Sequence, residues 1–126
     1  MLRYISLVSV LFISACALPA TKGQLASADY GVAMTQADCK RVAEQSIRYS
    51  LKDPDSAQFR HGNCRKGHEV NPLAPLGSHT FGYLQEGTVN ARNSLGGYTG
   101  HQKYKVLMRN EQAVGLCIDY CGLRFR

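Results

Sequence analysis

The 126-residue chain is missing most of what would name a chemistry. No apolar run reaches the roughly 20 residues that a bilayer-crossing helix needs. The uncharged stretch from Tyr4 ends by residues 20–21, and only residues 5–13 are strongly apolar, which argues for an anchor over a span. There is no Cys-x-x-Cys pair, so thiol–disulfide exchange lacks its usual motif. The Gly-rich turn has no Lys-Ser/Thr ending and precedes a strand, which removes a phosphate loop. None of the four His residues lies in a hydrolase motif, and Ser56 has no base visible in the sequence. No internal repeat or low-complexity segment is present. The expectation is therefore a protein that is not an enzyme, with no catalytic residue, no metal and no cofactor.

What is present begins at the N-terminus. Arg3 supplies a positive charge, residues 5–13 an apolar core, and Ile13-Ser14-Ala15-Cys16 a run of small residues ending in Cys. This is the layout of a secretory signal. It resembles the lipobox of bacterial membrane lipoproteins, and the resemblance implies removal of residues 1–15 and lipidation of Cys16. Lasting attachment needs two or more acyl chains, at about 0.8 kcal/mol per buried CH₂, and diacylglycerol plus an N-terminal acyl group on Cys16 meets that need. Ala17 in place of Asp implies an outer-membrane destination, periplasm-facing, within the cell envelope. The plainer alternative is an ordinary signal cleaved near Ala17 or Ala20, leaving a soluble periplasmic protein.

Residues 16–35 read as a lipidated flexible tether, and residues 36–126 as a single small domain. A core of that size gains from covalent staples. Cys39, Cys64, Cys117 and Cys121 supply an even number in an exported chain, with three connectivities possible. A helix over 37–51 is about 20 Å long, and a strand over 59–64 returns a similar distance. That favours Cys39 with Cys64 and leaves Cys117 with Cys121, which requires a turn between them.

The fold class predicted is α+β, an N-terminal amphipathic helix on a three- to four-stranded antiparallel sheet. Cys39, Ala43, Ile47 and Leu51 recur every fourth residue, flanked by Val42, and charged residues fill the rest. Asp53-Pro54 ends the helix, with Asp53 expected to cap a short second helix over 54–57. Residues 65–78 are expected to form a basic irregular loop containing Pro72 and Pro75. Further strands are expected at 81–91, 104–108 and 113–118, the last two joined by a tight turn at Asn110-Glu111.

Two stretches stand out: Asp53-Pro54-Asp55-Ser56-Ala57-Gln58-Phe59-Arg60, and Val89-Asn90-Ala91-Arg92-Asn93-Ser94-Leu95-Gly96-Gly97-Tyr98-Thr99-Gly100. Together they resemble DPxSAxFR and VNAKNSxGGYxG motifs of small uncharacterised proteobacterial exported proteins. The resemblance spans residues 36–108 and brings no reaction with it. Where many such proteins carry Cys-Gly before the Val-Asn pair, this chain has Glu86-Gly87.

Candidate binding residues follow from the turn and from charge. Gly96, Gly97 and Gly100 permit positive φ, while Asn90 and Asn93 can bond local backbone. Such a turn either is structural or cradles an anion on its N–H groups; Tyr98 is expected to pack back onto the sheet. Arg65 and Lys66, near Arg60, His61 and His68, make a basic cluster. The formal net charge of +6 becomes +5 once Arg3 is removed. His61, Cys64, His68 and Glu69 have a loose metal-like spacing, too incomplete for zinc. Asp53 and Asp55 suit a helix start better than an acid–base pair. The function expected is binding or assembly with another envelope component, an unidentified protein or a polyanion, with a membrane contact through lipid and no nucleic acid. The alternative is a small-ligand or polyanion-binding module built on the Gly-rich turn and the basic loop.

Overall fold

The computed structural model describes residues 19–70 and 78–119. The expected signal sequence, with Cys16, and also Pro72, Pro75 and Cys121 lie outside the described residues. The chain is α+β, with one principal helix and an antiparallel sheet.

Helix α2, Gln36–Ser50, starts at Thr35. The Thr35 hydroxyl accepts the Asp38 N–H, and the Asp38 carboxylate reaches back to the Thr35 N–H, so two backbone donors of the first turn are satisfied. Bonding to Thr35 holds the Asp38 carboxyl below the usual carboxylate range. Cys39, Val42, Ala43 and Ile47 are buried and cluster with Val89, Tyr104, Val106 and Met108. A single 3-10 turn, Pro54–Ser56, follows. Asp53 precedes it but makes no capping bond through its side chain, so the expected Asp53 cap is corrected. The hydroxyl of Ser56 instead donates to the Asp53 carbonyl at 2.8 Å.

Among the described residues five strands follow: β1 Gln58–His61, β2 Arg65–Val70, β3 His79–Asn90, β4 Gln102–Arg109 and β5 Gln112–Ile118. The order is β1-β3-β4-β5, with β2 also paired to β3. β1 and β2 lie end to end along one edge of β3, against its C-terminal and N-terminal halves respectively. At residues 65–70 this corrects the reading of an irregular loop, and with it the count of three or four strands; residues 71–77 of that expected loop lie outside the described residues. Arg65-Lys66-Gly67-His68-Glu69-Val70 has no apolar alternation to announce a strand. It is extended because β3 is long enough to offer a second set of ladder partners.

The break between β1 and β2 is tied down heavily. Gly62 donates its N–H to the Glu86 carbonyl at 2.8 Å. Fully buried Gln85 donates from Nε2 to the Gly62 and Glu86 carbonyls at 2.8 and 3.0 Å. Cys64 is disulfide-bonded to Cys39 in the first turn of α2, as the sequence geometry favoured. The Gln36 amide brackets this bridge, donating to the Cys64 carbonyl and accepting its N–H, both at 2.8 Å. Cys117 is also disulfide-bonded.

Asn110 and Glu111 have φ of 52° and 61°, the two consecutive positive values of a tight turn whose twist suits a hairpin. Gly87 meets a different demand, since a Cβ there would sit 2.2 Å from the Arg60 carbonyl oxygen and 2.7 Å from the Tyr104 hydroxyl.

Ahead of the domain, helix α1, Lys22–Ala26, is capped by Thr21 and buries no residue. The segment after α1 then meets the sheet. Asp29 Oδ2 accepts from Arg109 Nη2 at 2.6 Å, and the Val32 N–H donates to Asn110 Oδ1 at 3.0 Å. Tyr30 packs edge-on to Phe81, ring centroids 5.7 Å apart. Among the described residues no helix is long and apolar enough to cross a membrane.

Candidate functional site

The two sequence motifs meet at one residue. Ser56, on the 3-10 turn, accepts the Arg92 N–H on its Oγ at 2.9 Å, and its carbonyl accepts the Tyr98 hydroxyl at 3.3 Å. Tyr98 therefore packs toward the 3-10 turn, not onto the sheet as expected. Its ring carries the Arg92 guanidinium 5.3 Å above the centroid, and an isolated bridge pairs the same two residues. The first motif is thus a dock for the second.

Within the turn, Asn93 and Asn90 do what an anion would otherwise do. Asn93 Oδ1 accepts the N–H groups of Leu95 and Gly97 at 3.0 and 3.1 Å. Asn90 Oδ1 accepts the Gly100 N–H at 3.0 Å, and the Gly96 N–H goes to the Asn93 carbonyl at 3.0 Å. The donors an anion cradle requires are occupied by the loop's own side chains and carbonyls. Gly96 and Gly100 adopt φ of 82° and 93°, so these glycines serve the chain path. What the loop exposes is side chain: Leu95 is 94% exposed and Tyr98 45%.

Arg65 and Lys66 do not form a shared patch. Both are on β2, where neighbouring side chains point to opposite faces. Arg65 bonds Glu86 Oε2 at 2.8 Å, part of a chain in which Lys105 bridges Glu86 and Glu69 at 3.8 and 3.2 Å. Lys66 reaches the other face and lies over the Tyr30 ring at 5.2 Å.

A polar chain unannounced by any sequence motif crosses from α2 into the core. Glu44 Oε1 is 2.7 Å from His61 Nε2, and His61 Nδ1 is 2.5 Å from the Tyr104 hydroxyl. With Glu44 ionised, Nε2 carries the proton and Nδ1 accepts from the phenol. Burial pushes the Tyr104 phenol up to about 12. The Gln85 side chain pulls it the other way, and the Glu44 charge adds to the rise. Phe59 stacks on His61 at 5.5 Å with planes 6° apart, and Arg48 lies over Phe59 at 5.1 Å. A carboxylate–imidazole–hydroxyl sequence suggests nucleophile activation, but Tyr104 is 2% exposed and belongs to the core cluster. Its chemistry is to hold helix against sheet. The spacing of residues 44, 61 and 104 carries no signal; the one clue is His61 alternating with Phe59 on a core-facing strand.

The loose metal-like set is dispersed. His61 faces Glu44, Cys64 is in the disulfide, and His68 packs against His79 and Phe81 at 5.2 and 5.5 Å. Among the described residues no group of three metal-ligating side chains converges. No protein-family model, curated protein or solved structure matches the chain.

Proposed function

We propose that this protein is a non-enzymatic envelope lipoprotein, held by lipid on Cys16 at the outer membrane and facing the periplasm. In this reading amphipathic α2, packed on the antiparallel sheet, makes a compact domain that binds or assembles with another envelope component. The observation that carries it is the Cys39–Cys64 disulfide. Such bonds persist in oxidising compartments and are rare in the cytosol, which agrees with the export signal ending at Cys16. The rival, a polyanion module using the Gly-rich turn with Arg65 and Lys66, has less support. The turn's donors are occupied and the two cations point to opposite faces.

Cys16→Ala tests the anchor. The substituted protein is expected in the soluble fraction while the parent sediments with outer membranes, and intact mass of the parent should include three acyl chains. Sedimentation of both proteins alike, or a parent mass without lipid, overturns the proposal.

A further inference from the structure

The loop over residues 91–101 and the point where the tether meets the domain are at opposite ends of the same strand. The loop leads into Gln102 at the start of β4, while Asp29 and Val32 engage Arg109 and Asn110 at its end. Eight residues of strand separate the two by about 23 Å. Upstream of that contact, α1 has no buried residue. A chain held by lipid at Cys16 thus leaves from the end farthest from Leu95.

The loop is also built as a contact, not as slack. Leu95 is almost wholly exposed, yet its own N–H is fixed by Asn93. Tyr98 is half-exposed and clamped between the Ser56 carbonyl and the Arg92 guanidinium. Among the described residues Arg92 has no carboxylate within ion-pairing distance, and neither do Arg60 and Lys103, which flank Thr88 in register beside the loop. An aromatic, an arginine and a projecting aliphatic residue on a pre-ordered turn are the chemistry that dominates protein interfaces.

We infer that Leu95, Tyr98 and Arg92 form a docking tip for a protein partner that offers an apolar socket to Leu95 and a carboxylate to Arg92, approached from the side away from the anchoring bilayer. A lipid occupant is disfavoured by position, because the tip and the tether exit are at opposite ends of β4. The inference rests on the anchored-lipoprotein reading for its orientation.

The test is site-specific photo-crosslinking in intact cells, with a benzophenone amino acid placed at Leu95 or, as a control, at Tyr49, which is 87% exposed on α2. The expected result is a discrete protein adduct from position 95, absent from position 49. It should fall about tenfold with Arg92→Glu and be retained with Arg92→Lys. Membrane fractionation of the same samples reports the anchor separately, so absence of the adduct from a chain that keeps Arg92 and still sediments counts against the docking tip alone. Lipid adducts at position 95, crosslinks to a second copy of this chain, equal labelling at both positions, no adduct, or indifference to Arg92→Glu each overturn it.

Discussion

Ser56 accepts the Arg92 N–H 2.9 Å away, across a separation of 36 residues. That bond makes one structural unit of two stretches that look independent along the chain. The 3-10 turn supplies a hydroxyl and a carbonyl at fixed spacing, and the Gly-rich loop supplies the N–H and the phenol that meet them.

Replacing Ser56 with Ala removes the acceptor for Arg92 and leaves the carbonyl for Tyr98. A loss of about 1–2 kcal/mol is expected, read as a Tm drop of roughly 4–8 °C per kcal/mol in a domain this small. Faster amide exchange should be confined to the loop and the 3-10 turn. A Tm unchanged within error shows that the junction is incidental.

Tyr104→Phe tests the buried polar chain through its pH dependence. The folded phenol titrates at about 12 against an ordinary 10. Its neutral form is therefore favoured by folding, and the associated stability is fully present below pH 10. It is lost as pH rises from 10 through 12, amounting to about 2–3 kcal/mol. Denaturant titrations at pH 8 and pH 11.5 should show this alkaline loss in the parent and a smaller one in Tyr104→Phe. Equal alkaline losses would sink the assignment.

Gly87→Ala should be among the most damaging single-methyl additions, because the new Cβ meets the Arg60 carbonyl and the Tyr104 hydroxyl. Moving a β1 backbone and a core phenol together costs about 3 kcal/mol or more. Gly96→Ala serves as the contrast, since nothing lies within 4 Å of its Cβ and only positive φ opposes it. Comparable Tm losses for the two would show that crowding at residue 87 costs no more than the positive φ at residue 96.

Cys39→Ser and Cys64→Ser should each destabilise the domain by about 2–5 kcal/mol. The double substitution should cost little more than either one, since both remove the same bond. Additive losses would mean that the two sulfurs contribute separately.

Legibility along the chain follows locality. The stripe Cys39, Val42, Ala43 and Ile47, the Asn110-Glu111 turn and the return of Cys64 to Cys39 all depend on short-range periodicity or simple lengths, and they could be read in advance. β2 could not, because Arg65 to Val70 is extended only by virtue of its partner, and its charges hide any alternation. Nor could the Glu44–His61–Tyr104 chain, whose members sit on three elements brought together by sheet register. The Gly-rich turn was recognisable as a turn with Asn90 and Asn93 able to bond its backbone, but which N–H groups they take up depends on the folded path of the loop.

The way residues 29–32 join the sheet sets how the molecule answers a pull from its N-terminal side. Tension arriving from the N-terminus is met first by the Asp29–Arg109 and Val32–Asn110 bonds, both at the surface and able to open and re-form. Once they yield, the load passes to the first turn of α2 and through the covalent Cys39–Cys64 link to the break between β1 and β2, on the edge of β3. A pull on the residues ahead of Asp29 thus meets a reversible fuse in front of an inextensible strap, and both stand between it and the strands.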